Sequence, residues 1–474
     1  MLRKFISTLL LENLEFEPTP GQVELIQELG AFLASEDYGE IMVLKGYAGT
    51  GKTTLVKSLV QTLQTLKQKS VLLAPTGRAA KVLSAYSGHA AWTIHKKIYR
   101  QKSGKDGLGE FVLDRNLHKQ TCFIVDEASM IGDRSPDAMF GSGDLLRDLM
   151  DYVEGGSNCR LVLVGDTAQL PPVGLDMSPA LNRERLESFA YRIREIELTD
   201  VVRQARDSGI LFNATLIRNL ITAGIEDYPG FQFDDFPDVQ MISGADLLEA
   251  IGSSYDRYGT AETIVVTRSN KRANKFNAGI RSQILWREEQ ISPGDLLMVV
   301  KNNYFWKDAD KRLDFIANGD IIRIERVIST EEVHGHAFAN VQVSLPDYPQ
   351  MDLEVKLLLD VIEMDAPSLN YEQQKTLYMA VAEDYPDAIN RKQVSDKLSL
   401  DPYYNALQVK FAYAVTCHKS QGGQWKSVFL DQGYFTDEML SLDYLRWLYT
   451  AFTRASEQLY LVNLAQAFIP ENSR

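Results

Sequence analysis

Cysteine is almost missing: Cys122, Cys159 and Cys417 are the three in 474 residues. Odd in number and widely spaced, they form neither a disulfide framework nor a zinc pattern, and a reducing cytoplasm suits them best. No apolar run approaches the roughly 18 residues of a membrane span. Phe5–Leu11 behind Arg3 and Lys4 resembles a short signal peptide, but Glu12 and Glu15 end it after seven residues and no small-residue cleavage site follows. An amphipathic helix packed on the body of a soluble, intracellular protein is expected instead. There is no internal repeat and no low-complexity tract. Basic residues are in deficit, 50 against 64 acidic, for a net charge of −14. Taken alone, that balance argues against a nucleic-acid partner. The acid is unevenly placed, however: Asp347–Asp401 holds 12 Asp/Glu and 5 Lys/Arg, a stretch best read as solvated surface. His95–Lys105 carries five Lys/Arg and no acid.

What is present is ordinary globular material, 45% hydrophobic and 24% charged. The length predicts roughly three domains at about 150 residues each. In the first 200 residues, Ile41–Leu44, Ser70–Ala74, Cys122–Val125 and Arg160–Val164 read as buried strands. Between the first two, Leu55, Leu59, Leu63 and Leu66 recur at helical spacing over Lys52–Leu66. Strand–helix alternation predicts an α/β fold with a doubly wound parallel sheet, whose ligands bind outside the carboxyl ends of the strands. A second α/β unit opens with Thr263–Val266 and the helical Asn270–Arg281. It resumes with Val409–Val415, Val428–Leu430, a helix around Leu442–Phe452 and the strand Gln458–Val462. Between these parts, Glu288–Gln408 changes texture: turns at Gly294-Asp295 and Asn318-Gly319-Asp320, with the alternating runs Ile321–Val327 and Asn340–Leu345, predict a β-rich insertion. The expected domains are 1–200, 201–287 plus 409–474, and 288–408.

Gly46-Tyr47-Ala48-Gly49-Thr50-Gly51-Lys52-Thr53 matches the phosphate-binding pattern G-x-x-x-x-G-K-[ST], with a strand before and a helix after. Gly49, Thr50, Gly51, Thr53 and Thr54 are expected to wrap the phosphates of ATP with backbone N–H groups at a helix N-terminus. Lys52 is expected to reach the β- and γ-phosphates, and Thr53 with Asp126 to hold Mg²⁺. In Val125-Asp126-Glu127, Glu127 is the expected general base. Gly165-Asp166-Thr167-Ala168-Gln169-Leu170-Pro171-Pro172 follows the next strand, with Gln169 placed to sense a γ-phosphate.

With these motifs in order, the sequence resembles superfamily 1 helicases of the RecD/Dda type, the 1B branch. The resemblance extends to Gln22, matching the adenine-reading glutamine, and to Ala74-Pro75-Thr76-Gly77-Arg78-Ala79-Ala80, Thr93-Ile94-His95 and Leu198–Gln204. It continues through Thr267-Arg268-Ser269-Asn270, Tyr413–Gly422 and Tyr449–Ala455. It implies two RecA-like domains closing on ATP, an SH3-like insertion in the second, and single-stranded DNA lying across both, with 5′→3′ movement and unwinding of duplex or forked DNA. It implies DNA contacts by Pro75, Thr76, Thr93, His95, Asn270, Thr416, His418, Lys419 and Ser420, since hydroxyls and cations position phosphates without reading sequence. Arg203 and Arg454 would act as arginine fingers on cleft closure. One departure stands out: Gln424 occupies a place where many relatives carry an acid that bonds the nucleotide ribose. Trp92, Tyr304, Phe305 and Trp306 are candidates for base stacking. Within Lys96–Thr121, strand-like Ile98-Tyr99-Arg100 and Phe111-Val112-Leu113 around a turn-rich Ser103–Gly109 predict a β-hairpin. The resemblance implies that it is a strand-splitting pin, with Tyr99 or Phe111 against the terminal base pair and Lys96, Lys97, Arg100, Lys102 and Lys105 steering phosphates. A monomer whose partners are replication or repair proteins is expected. The competing readings are a RecD-like subunit that grips nucleic acid with little unwinding, and a P-loop NTPase acting on a small molecule.

Overall fold

The computed structural model describes residues 1–102, 110–133, 141–202, 207–306, 316–346, 351–388 and 390–470. Its first sheet takes strands β1 (Glu40–Gly46), β2 (Lys69–Ala74) and β3 (Ala91–Thr93). After an antiparallel hairpin of β4 (Tyr99–Lys102) and β5 (Glu110–Leu113), it continues with β6 (Thr121–Val125), β7 (Arg160–Gly165) and β8 (Arg192–Leu198). All its pairings are parallel, in the order β3-β2-β6-β7-β1-β8. Strands such as Ile41–Leu44 are apolar at every position because both faces of the sheet are covered. Ile41 and Val43 enter a core shared with the helix Leu145–Glu154. Met42 and Leu44 enter the opposite one, shared with the helices Leu2–Glu12, Pro20–Ala34 and Lys52–Thr65. The expected N-terminal amphipathic helix is present: Ile6 and Leu10 are buried and Phe5 is exposed. Burying each of the two contributes about 1.5–3 kcal/mol.

The second sheet uses β9 (Val239–Ile242) and β10 (Thr263–Thr267), is interrupted by a barrel, and then resumes. The barrel strands are β11 (Leu296–Val299), β12 (Ile321–Val333), β13 (His336–Ser344), β14 (Asp352–Leu358) and β15 (Leu407–Phe411). The sheet then adds β16 (Ala414–Thr416), β17 (Trp425–Asp431) and β18 (Ala455–Val462), in the parallel order β16-β10-β17-β18-β9. The β-rich insertion expected from the alternating runs is thus a closed five-stranded barrel.

Two expectations are corrected here. Val409–Val415 is not one strand: Leu407–Phe411 closes the barrel against β11 and β14, whereas Ala414–Thr416 joins the parallel sheet. A run that is apolar except for Lys410 and buried throughout carries no mark of where a chain passes between two buried sheets, so the seam expected at 408/409 falls inside a barrel strand. The acidic part of the insertion is also partly helical. Tyr371–Ala382 and Arg391–Leu398 are helices, and Leu377, Val381 and Leu398 pack with Phe338 and Val361 in a separate small core.

A buried charge cluster fastens the barrel to the second sheet. Asp295, fully buried, accepts from Arg281 Nε at 3.1 Å and Nη2 at 3.0 Å, from Arg287 Nη1 at 2.6 Å and from the Tyr413 hydroxyl at 3.0 Å. Removing one partner of such a group strands the others, at a cost of about 3–5 kcal/mol. Among the described residues no helix is long and apolar enough to cross a membrane.

Candidate functional site

The loop after β1 runs directly into the helix Lys52–Thr65, which places the phosphate-binding pattern between a strand end and a helix N-terminus. Gly51, the residue before that helix, has φ +81°, and a Cβ there would lie 2.6 Å from Gln22 Nε2; both facts require glycine. Lys52 Nζ donates to the carbonyls of Gly46 at 2.6 Å and Tyr47 at 2.8 Å and lies 3.8 Å from Asp166. Thr50 Oγ1 donates to Tyr47 O at 2.8 Å. Thr53 is exposed at the first turn of the helix, and Thr54 is half-buried. Gln22, expected to read adenine, lies against the phosphate loop. It is fully buried, its Oε1 accepts from Thr19 N at 3.0 Å, and its Nε2 donates to Thr50 O at 2.9 Å. The oxygen end thus caps the helix Pro20–Ala34, and the nitrogen end braces the phosphate loop.

β6 ends on the acidic pair. Asp126 Oδ1 accepts from Glu127 N at 2.8 Å, and Asp126 Oδ2 accepts from the Tyr86 hydroxyl at 2.6 Å. Glu127 has φ +53°, the left-handed region, which costs a non-glycine residue roughly 1–2 kcal/mol and is characteristic of functional positions. Burial first, and then the charge of Asp126, raise the Glu127 carboxyl above its ordinary pKa, while the charges of Arg454 and Lys52 oppose the rise. A carboxylate so raised is a better base. After β7, Gln169 is buried and its Oε1 has no hydrogen-bond partner among the described residues. A buried acceptor in that state is set up for a donor that arrives later.

The second sheet's helix Leu442–Phe452 is wired directly into this site. The Tyr449 hydroxyl accepts from Ala48 N in the phosphate loop and donates to Asp166 Oδ2, both at 2.8 Å. Thr450 Oγ1 accepts from Leu170 N at 2.8 Å, and Gln421 Nε2 donates to Leu170 O at 2.8 Å. Asp166, Tyr449, Thr450 and Gln421 all lie in motif runs, but a motif does not say which of its members crosses a cleft. Tyr86 carried no signal of any kind. Arg454 is buried, with Nε donating to Thr450 O at 3.0 Å, Nη1 to Gly423 O at 3.1 Å and Nη2 to Thr453 Oγ1 at 3.1 Å. Arg203 lies outside the described residues. The Gln424 side chain is exposed, and the Gln424 backbone carbonyl accepts from Arg78 Nη2 at 3.5 Å.

The residues expected to touch DNA fall into two groups at strand carboxyl ends. Ala74 pairs with Thr93 across β2 and β3, which brings Pro75, Thr76, Thr93 and His95 to one edge of the first sheet. Thr267 pairs with Thr416 across β10 and β16, which brings Asn270, Thr416, His418 and Lys419 to the matching edge of the second. The barrel turn Asn318-Gly319-Asp320 spans the groups. Lys419 Nζ donates to Asn318 Oδ1 at 2.9 Å, and Lys81 pairs with Asp320 at 3.0 Å.

Four assignments change. Ser420 is fully buried and its hydroxyl donates to Cys417 O at 2.7 Å, so it caps its own short helix. Burial lowers His95 to about 4, so it is a neutral ring rather than a cation at neutral pH. Trp306 Nε1 donates to Asn405 O at 3.1 Å, and its ring packs edge-on against Phe305 inside the insertion. Tyr99 is 8% exposed with its hydroxyl donating to Asp148 at 2.7 Å, which leaves it no freedom to stack on a base pair. Phe111 is half-buried and packs 4.9 Å from the Tyr304 ring of the insertion. Trp92 is also half-buried, under Lys97 at 5.6 Å, and Arg100 pairs with Asp114 at 3.3 Å. The pin tip, with Lys105, and the Lys102 side chain lie outside the described residues.

The sequence matches two family models: an AAA domain over residues 18–228 and a UvrD-like helicase C-terminal domain over residues 411–462. It is 32% identical over 198 residues to the ATP-dependent RecD2 DNA helicase of Deinococcus radiodurans, covering 41% of this chain and 24% of that protein. It is 27% identical over 300 residues to the ATP-dependent DNA helicase dda of Enterobacteria phage T4, covering 60% of this chain and 62% of that protein. The chain therefore aligns with less than two thirds of either relative. A solved structure of Pif1 helicases at forked double-stranded DNA superposes with a TM-score of 0.50 at 16% identity, covering 96% of this chain and 95% of that one; it is similar in fold.

Proposed function

Because this chain resembles the RecD/Dda-like helicases of superfamily 1B in sequence and the Pif1 helicases in fold, we propose that it is an ATP-driven DNA helicase, translocating 5′→3′ on single-stranded DNA. The observation that carries the reading is the Tyr449 hydroxyl, bonded at once to the phosphate loop and to Asp166. A small-molecule NTPase has no use for a second α/β unit wired into its phosphate loop. A motor needs that coupling.

In this reading the loop amides and Lys52 hold the phosphates. Thr53 and Asp126 are an all-oxygen donor pair that suits a hard cation, and they would hold Mg²⁺, which neutralises phosphate charge there. Glu127 orients and deprotonates the attacking water, and Gln169 Oε1, without a partner among the described residues, takes up the incoming hydrogen bond. Arg454, and Arg203 by resemblance, stabilise charge on the transferring phosphoryl group. Loss of the γ-phosphate loosens the Tyr449–Asp166 seam and changes the spacing of the two DNA-facing edges. Phe111, braced by Tyr304, is the pin residue.

Forked duplexes with a 5′ or a 3′ single-stranded tail test this directly. Unwinding of the 5′-tailed fork alone, with ATP, is expected. Replacing Gln101–Phe111 by a short Gly-Ser linker keeps the Tyr99–Asp148 bond; it should leave DNA-stimulated ATPase intact and remove strand separation. Unwinding from the 3′ tail overturns the direction, and ATPase that single-stranded DNA does not stimulate overturns the function. Unwinding by the shortened protein at the parent rate moves the pin elsewhere.

Lys419 makes a pH-dependent contribution. Burial lowers its ammonium to about 8, so the charge is present below that pH and lost above it. Affinity for a dT oligonucleotide should therefore fall between pH 7 and pH 9, and the slope against log salt should shrink by about 0.7. Lys419→Gln should flatten both, as read by fluorescence anisotropy. An unchanged pH profile in that variant would remove Lys419 from the phosphate contacts.

A further inference from the structure

Tyr86 belongs to none of the sequence motifs, yet it reaches one. Its half-buried ring packs on the core shared by β1, β6 and the helix Lys52–Thr65, and its hydroxyl donates to Asp126 Oδ2 at 2.6 Å. With Glu127 N on Oδ1 at 2.8 Å, both carboxylate oxygens are held. The plane of Asp126 cannot turn without breaking one of two charge-assisted hydrogen bonds.

Tyr86 lies near the end of the helix Gly77–Ser87. The opposite end of that helix starts at Thr76, whose hydroxyl accepts from Ala79 N at 3.2 Å beside Pro75 and Thr93. Ten residues of helix rise separate the two ends by about 15 Å. The Thr76 end is hemmed in by parts that belong to the other units. Gly77 approaches the barrel turn so closely that a Cβ would lie 2.6 Å from Ala317 Cβ. Lys81 pairs with Asp320, and the Arg78 guanidinium stands 3.9 Å over the Trp425 ring of β17. A helix gripped this way at one end and bonded to a carboxylate at the other passes a small displacement along its length, because its hydrogen-bonded turns and close-packed flanks give little.

We infer that Tyr86 is a positioning residue that links single-stranded DNA at the Thr76 end of its helix to the orientation of Asp126 at the nucleotide. The inference rests on the helicase reading and adds to it a physical route between the two ligands. Coupling of this kind is reciprocal: DNA tightens Mg²⁺-nucleotide by the factor by which Mg²⁺-nucleotide tightens DNA.

Tyr86→Phe keeps the ring and deletes only the hydroxyl. Affinities for a fluorescent non-hydrolysable ATP analogue are measured with and without Mg²⁺, each with and without a dT oligonucleotide, and thermal stability is recorded alongside. The parent protein should bind the Mg²⁺-analogue about fivefold or more tighter when DNA is bound. The variant should bind DNA alone, and the analogue without Mg²⁺, like the parent, while the DNA-linked gain disappears. A gain in the variant equal to the parent's overturns the inference. So does a uniform loss of every affinity with a fall in Tm, the signature of a packing residue. If the parent itself fails to bind the oligonucleotide, the helicase reading falls and takes the inference with it.

Discussion

Lys52→Ala lowers ATP turnover on the order of 10³-fold and weakens nucleotide binding, whereas Glu127→Gln retains binding and loses between about 10² and 10⁴ of the rate. The two outcomes differ because the side chains do different work. Lys52 Nζ lies across the mouth of the loop, within hydrogen-bond reach of the Gly46 and Tyr47 carbonyls and 3.8 Å from Asp166. Its charge serves bound phosphates in the ground state and more strongly in the transition state. Glu127 carries a raised pKa from burial and from Asp126, a combination that favours accepting a proton over binding a cation. Its backbone is already in the left-handed region, so glutamine inherits the same geometry and removes only the base. Steady-state ATPase and equilibrium nucleotide titration separate the effects. Near-normal turnover in both variants would overturn the assignment of the phosphate loop and the acidic pair together.

Arg454→Lys is expected to bind ATP and single-stranded DNA like the parent while DNA-stimulated turnover falls by about 10²-fold or more. Lysine is the informative replacement. Arg454 is buried and donates to Thr450 O, Gly423 O and Thr453 Oγ1. Alanine would strand those acceptors at roughly 1–3 kcal/mol each and confuse a catalytic loss with a folding one. A lysine ammonium keeps a charge and a donor but lacks the planar fork that spreads over a phosphoryl group. The check is turnover with saturating DNA, read beside Tm and DNA affinity. If turnover is normal, the Arg454 guanidinium only ties the helix Leu442–Phe452 to Gly423, ahead of β17. If Tm and DNA affinity drop in step with turnover, its role is likewise structural.

Much of this protein is legible in its residues, for identifiable reasons. Ile41–Leu44, Cys122–Val125 and, after its first residue, Arg160–Val164 read as buried strands because a sheet covered on both faces needs apolar side chains at successive positions, and that leaves a near-unbroken pattern. The phosphate loop is legible because its backbone needs glycine at Gly49 and Gly51, where φ is positive. The barrel shows in the alternation of Ile321–Val327 and in its glycine turns. Val409–Val415 misled because two different sheets bury it with equal completeness.

Local sequence by itself determined the elements, the glycine positions and the short runs in which phosphate and DNA chemistry is concentrated, since each depends on neighbours a few residues away. Tertiary structure alone decided which side chains remain available. Gln22, Ser420, Tyr99 and Trp306 suit their expected roles by type, yet each is committed to a partner, three of them distant in sequence: Thr50 O for Gln22, Asp148 for Tyr99 and Asn405 O for Trp306, with Cys417 O for Ser420. Tyr86 has no local signal and Tyr449 nothing that marks it out within its motif, yet one holds Asp126 and the other bridges the two α/β units. A hydrogen bond spans about 3 Å in space but any distance along the chain, so whether a polar group is spent or free is settled only when the chain has folded.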